Sequence, residues 1–383
     1  MRYSSYLQDE LWLIKETEWV ASLQKIRESQ FALGNGYFSS RAVLEEIPYD
    51  AMPGLYLAGI YDKMGSQVKE LVNFPNPFNF RFTVEGEKIG LMAMKNISHK
   101  RVLNLKKALL IRHTVFENVK KERFDYQSIR FISYSHKNLA VMQIVFTPLD
   151  NDCVVDLYTG IDTTVFNAGA VTEGRKKHFK IKEAGQFKNA GFLILSTLEK
   201  RYIIIYWSGF YYEIGKRKKI ASDNVFQLKI KKGERVKFTK IIFIKHFPYR
   251  ENISRYKNLT FKKFFYLFHT PFENLINSHI KRWEKLWKKV DIKIEGTANL
   301  QQNLRFNLYH LLICAPQDEG FSSVGARTLS GEGYHGHIFW DAEIFVLPFY
   351  LYNFPEIAKN PVSYTHLRAH ETRHDLVCRL LLE

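Results

Sequence analysis

Cysteine is scarce in this chain, with three residues, Cys153, Cys314 and Cys378, among 383. They are odd in number and far apart, which argues against a disulfide framework and against a CxxC zinc site. Also missing is any run of about 18 uncharged apolar residues. The nearest, Arg201 to Ile214, is short, aromatic and rich in β-formers, so no membrane partner is expected. The N-terminal stretch MRYSSYLQDELWLIKE has acids where a signal peptide would be apolar, which predicts reducing cytoplasm and makes the Asn-x-Ser/Thr triplets at Asn96, Asn252 and Asn258 chance matches. No βαβ alternation or phosphate-binding glycine fingerprint is found, since Gly34-Asn35-Gly36 lacks the flanking strand and helix. Acidic residues are short too: 39 Asp and Glu against 56 Lys and Arg give a formal net charge of +17. Such a charge invites a nucleic-acid or anionic-membrane partner. The basic runs Arg175 to Lys177, Lys216 to Lys219 and Lys229 to Lys232 fall at expected turns, where charge is solvated, so the expectation is no nucleic acid.

What the chain does concentrate is a polar and aromatic stretch, Gly325 to Phe349, reading GARTLSGEGYHGHIFWDAEIFVLPF. Gly331, Gly333 and Gly336 free the backbone for positive φ, so Ser330 to His337 reads as a shaped loop. After it, Trp340, Ile344, Leu347 and Phe349 recur at helical intervals, which predicts a packed helix with Asp341 and Glu343 in its first turn. Two readings of these acids stand at this point. One is structural, as carboxylates that suit a helix dipole. The other is functional: an indole can pack on the C–H face of a pyranose while the adjacent carboxylate accepts its hydroxyls. His335 and His337, an i, i+2 pair without further spaced ligands, read better as hydrogen-bonded side chains than as a metal site.

With 46% hydrophobic residues, the chain is long enough for two or three domains. Up to about Pro248 it is β-rich, with strand-like runs at Ile129 to Ile132, Leu139 to Pro148, Val154 to Ile161, Phe192 to Leu198 and Tyr202 to Tyr212. Val225 to Ile244 reads as a hairpin turning at Lys232-Gly233-Glu234. These runs predict antiparallel strands packed as two sheets or more. Beyond Pro248 the period changes to 3.6. Phe272, Leu275, Ile276, His279, Ile280, Trp283, Leu286, Trp287 and Val290 form the apolar stripe of a basic linker helix. A second helix is predicted over Ala298 to Ile313, packing through Leu300, Leu304, Leu308 and Leu311. The last 23 residues, 361–383, break this pattern and read as a foreign tail, which sets aside the ladder His366, His370 and His374.

On these residues the chain resembles glycoside hydrolase family 65, the maltose, kojibiose and trehalose phosphorylases. The resemblance runs from Glu28 to Tyr37, through Leu57 to Asp62, Glu70 to Asn76, Thr147 to Asp150 and Arg305 to His310, and peaks at Gly331 to Asp341. It implies a β-supersandwich over 1–250, a helical linker over 251–295, and the start of an (α/α)6 barrel over 296–360. It further implies that Trp340 and Asp341 bind the transferred glucose, with Arg327, Glu332, His337 and Glu343 as pocket neighbours and Gly34 to Tyr37 structural. The family places its general-acid Glu, and the Ser and His groups that hold phosphate, further along the barrel than residue 383, so no catalytic residue is expected here.

The function so implied is inverting phosphorolysis of an α-linked glucose disaccharide to β-glucose 1-phosphate and glucose. Phosphate is the co-substrate and attacks the anomeric carbon while a Glu protonates the leaving oxygen, with no cofactor or metal. Family habit also suggests a homodimer. The alternatives are a trehalose hydrolase of the same family, or a basic, non-catalytic carbohydrate- or nucleic-acid-binding module.

Overall fold

A computed structural model of the chain describes residues 3–65, 68–168, 175–221, 225–317 and 322–364. Among them, strands dominate from Leu13 to Pro248, interrupted by the short helix Gln24–Gln30, and longer helices follow. Ten strands form one large antiparallel sheet, and two four-stranded sheets pack with it as a sandwich.

Strand periodicity explains why the large sheet is buried on both faces, because successive side chains point to opposite sides. In Leu139–Pro148, Ala140, Met142, Ile144 and Phe146 enter the core between the sheets, while Leu139, Val141 and Val145 enter a second core. That second core is roofed by two helices, Ser254–His269 and Phe272–Val290. The nine positions of the predicted stripe on Phe272–Val290 are the nine buried residues of that helix. Its N-terminal half packs in the roofed core, whereas Trp283, Leu286, Trp287 and Val290 join the inter-sheet core.

Two expectations fail for identifiable reasons. Val225–Ile230 and Val236–Pro248 are not a hairpin. The first pairs with Cys153–Tyr158 in a small sheet, and the second lies between Leu139–Pro148 and Tyr202–Ile214 in the large one. The turn is real, with Glu234 N–H donating to Lys231 O and Gly233 at φ 72°, but it carries the chain from one sheet to the other. Helix Ala298–Ile313 packs through only part of its predicted leucine row: Leu308 is buried and Leu304 partly so, but Leu300 is exposed, and Gln301, Arg305, Tyr309 and Leu312 complete the buried face. Arg305 pairs with Asp291 at 2.9 Å and lies over the Trp12 ring, so a cation takes a position that an apolar stripe would not assign to it. Finally, helix Ser254–His269 escaped the periodicity reading, and its mixed Phe and Lys content shows why.

Helix Ala298–Ile313 meets the sandwich at Gly34 and Gly36. The Gly36 N–H donates to Ile313 O at 2.8 Å, Gly36 has φ +79°, and a Cβ there would collide with Ala315 O. Helix Pro355–Val362 carries through the first two residues of the segment set aside as a tail, while His366, His370, His374 and Cys378 lie outside the described residues.

Candidate active site

The glycine-rich loop is held by the sandwich, chiefly by the hairpin of strands Leu55–Asp62 and Glu70–Asn73. Tyr56 Oη donates to Glu332 Oε1 at 3.0 Å, and the Ala168 N–H donates to Glu332 Oε2 at 2.6 Å. Tyr61 Oη donates to Gly336 O at 2.6 Å, and His337 Nε2 lies 2.6 Å from Lys69 O. His335 Nδ1 sits 3.6 Å from Glu70 Oε1. Burial raises the Glu332 carboxyl above its ordinary range, and these donors pull the other way.

Behind the loop is a buried ionic cluster. His178 is fully buried, with Nε2 3.4 Å from Glu70 Oε2 and Nδ1 3.7 Å from Asp62 Oδ2. Asp62 is fixed by the Leu198 and Glu199 N–H groups at 3.0 Å, and Glu70 also takes Lys176 Nζ at 2.9 Å. Burial lowers the His178 pKa, but the Asp62 and Glu70 carboxylates outweigh it and raise the ring to about 9. Glu70 is lowered to about 2 by His178, against burial, with Lys176 assisting.

The loop's shape differs from the glycine-based expectation. Gly336 has φ +73° and abuts Leu71, but the other positive φ angles fall on Thr328, Tyr334 and His335, not on Gly331 or Gly333. Gly333 instead leaves room for the Arg327 side chain.

Beyond the loop, Trp340 and Asp341 open a helical turn that widens into a π-helix over Ala342–Val346 and continues as Leu347–Asn353. Asp341 Oδ1 accepts from the Ala342 N–H at 3.0 Å, as a capping carboxylate would. This segment is not the packed helix expected. Trp340 is 70% exposed, as is most of Ile344, Phe345 and Tyr352. A π-turn displaces the rows that a 3.6 period would align, so the predicted stripe does not gather on one buried face. Glu343 Oε1 is buried and makes no hydrogen bond among the described residues.

The six residues named from sequence therefore divide. Arg327 and Glu332 line a cleft against the sandwich, His337 is tied to the hairpin, and Trp340, Asp341 and Glu343 stand on the following turn outside that cleft. Sequence reasoning missed the holders Tyr56, Tyr61, Asp62, Glu70, Lys176 and His178. Spacing carries no sign of a contact such as Tyr56 to Glu332, 276 residues apart. The quoted stretches around Asp62 and Glu70 were the available signal.

In this architecture an antiparallel β sandwich continues into helices and grips a glycine-rich loop followed by Trp-Asp. A solved structure from the human microbiome, described as a kojibiose phosphorylase candidate, shares the fold with TM-score 0.83 at 23% identity, over 93% of this chain and 48% of that one. The chain belongs to glycosyl hydrolase family 65: the family's N-terminal domain matches residues 14–286, and its central catalytic domain matches residues 305–376, a span reaching past Asn360. It is 32% identical over 372 residues to the kojibiose phosphorylase of Caldanaerobacter subterraneus subsp. tengcongensis, covering 94% of this chain and 48% of the relative. It is 30% identical over 358 residues to the nigerose phosphorylase of Lachnoclostridium phytofermentans, covering 88% and 47%. The chain thus spans about half the length of the curated relatives it matches.

Proposed function

We propose that this chain carries the sandwich and the first part of the catalytic unit of an inverting glycoside phosphorylase acting on an α-linked glucose disaccharide. The observation that carries the reading is the exposed Trp340 indole beside Asp341, on the helical turn that follows a loop held by the sandwich. The indole offers a stacking plane, and the carboxylate, already fixed by the Ala342 N–H, keeps lone pairs for sugar hydroxyls. Phosphate then attacks the anomeric carbon while a Glu protonates the leaving oxygen. The family resemblance implies that this Glu and the phosphate-holding groups lie further along the barrel. The exposed side chains Ile344, Phe345 and Tyr352 are the ground on which further helices of an (α/α)6 barrel would pack. Kojibiose and nigerose, for which the two relatives above are named, are the substrates to compare, with maltose and trehalose beside them.

Binding tests the reading directly. Titrating the chain with each disaccharide should change tryptophan fluorescence saturably, and Trp340→Phe should remove the change. No response to any α-glucoside, or a response that Trp340→Phe leaves intact, would overturn it.

A further inference from the structure

A cleft of about 730 Å³ separates the sandwich from the glycine-rich loop. Its size falls within the roughly 300–1,000 Å³ of small-molecule sites. Neither Trp340 nor Asp341 lines it, so it is distinct from the sugar platform proposed above and stands or falls independently.

Four cations reach the cleft, Lys25, Arg41, Arg175 and Arg327, and their partners differ. Lys25 pairs with Asp50 at 2.9 Å, and Arg41 pairs with Glu28 at 3.2 Å. The guanidinium groups of Arg175 and Arg327, by contrast, make no hydrogen bond or ion pair among the described residues. Each is steadied by a ring instead, Arg175 at 4.3 Å over Phe166 and Arg327 at 5.9 Å from Tyr334. A guanidinium stacked on a ring keeps its in-plane N–H donors free, the arrangement that suits bidentate recognition of a phosphate. Arg41 Nε is also buried without a partner. None of the lining carboxylates Asp50, Asp162 and Glu332 pairs with either of these guanidinium groups. Asp162 accepts from Thr164 N and Oγ1 at 2.9 and 2.6 Å, and Glu332 is taken by Tyr56 and Ala168. At the rim, Tyr49 is 98% exposed and offers a face for a sugar ring.

We propose that this cleft binds a hexose phosphate, its phosphomonoester held by Arg175 and Arg327 and its ring lying toward Tyr49. Free phosphate shares the anionic half of that chemistry, so the test must separate the two.

Calorimetric titration of the whole chain with glucose 1-phosphate, glucose 6-phosphate, glucose and inorganic phosphate does so. At least one hexose phosphate should bind about tenfold or more tightly than glucose or phosphate alone. Arg175→Gln should weaken that binding by about tenfold or more, since it removes a charge-assisted contact. Arg175 is exposed, so the variant should melt with the wild type, and Arg327→Gln should repeat the loss from the opposite wall. Three results would each overturn the proposal: no hexose phosphate binds, inorganic phosphate binds as tightly with the same arginine dependence, or Trp340→Phe abolishes binding while Arg175→Gln does not.

Discussion

The Tyr56 hydroxyl donates a 3.0 Å hydrogen bond to Glu332, joining a strand of the sandwich to the loop that leads to Trp340 and Asp341. Glu332 is largely withdrawn from water, and its other oxygen is committed to the Ala168 N–H. Removing the phenol leaves a carboxylate oxygen without its donor. A hydrogen bond to a charged group is worth about 1.5–3 kcal/mol, so Tyr56→Phe should lower the melting temperature and loosen the loop. Hydrogen exchange at residues 331–337 is the check. Unchanged exchange together with an unchanged melting temperature would mean that the contact does not hold the loop.

The His178 cluster predicts a pH dependence. His178 rises from 6.5 to about 9 on folding, so its contribution is complete below pH 6.5 and is lost as pH climbs through 9. Glu70 falls from 4.5 to about 2, so its contribution is complete above pH 4.5 and is lost as pH drops through 2. Between 4.5 and 6.5 both groups contribute fully, and the two describe one shared attraction. The His178 shift corresponds to on the order of 3 kcal/mol. His178→Gln should cost most in that window and least above pH 9. A mutational cost that is flat from pH 5 to 10 would contradict the charged pair.

Gly336 tests the loop's geometry. Its φ of +73° is strained for an L side chain, and a Cβ would meet Leu71. Gly336→Ala should cost about 1–3 kcal/mol, from backbone strain and displacement of the hairpin contact. Gly331→Ala, with a negative φ and an open neighbourhood, should be nearly neutral in the same melting assay. Equal costs at both positions would refute this assignment.

The charge of +17 overstates what a polyanion can reach. Arg101, Arg112, Arg130 and Lys240 are buried inside the sandwich, where Arg101 pairs with Glu16 and Arg112 with Glu45 and Glu46. Binding to duplex DNA should therefore be weak and fade by about 0.2 M salt, as non-specific phosphate contacts do. Tight, sequence-selective binding at that salt in a mobility-shift assay would favour the nucleic-acid alternative.

Strands and helices were legible where burial follows one period. Leu139–Pro148 and Phe272–Val290 were readable because their apolar residues face packed surfaces throughout. The Val225–Ile244 pairing was not, because alternation says a segment is a strand and says nothing of its partner. Trp340 and Asp341 could be named from their motif, yet their exposure could not be foreseen, since a π-turn leaves no mark in a hydrophobic period. The loop's holders are long-range contacts, which only the fold assembles.

The Trp-Asp pair gives the decisive test of the proposed sugar site. With Trp340 70% exposed, truncation removes little packing, so Trp340→Ala should leave melting almost unchanged, unlike a core tryptophan at about 3–5 kcal/mol. Asp341→Asn keeps an oxygen to accept from the Ala342 N–H and so should preserve the turn. It removes the charge that strengthens hydroxyl hydrogen bonds, about 1.5–3 kcal/mol, or roughly tenfold or more in affinity for an α-glucoside. Fluorescence titration would follow Asp341→Asn, and calorimetry would follow Trp340→Ala, because that variant has lost the reporter. Loss of affinity with melting preserved identifies a binding pair. Loss of melting temperature with affinity preserved would instead make Asp341 a capping residue and Trp340 part of the packing.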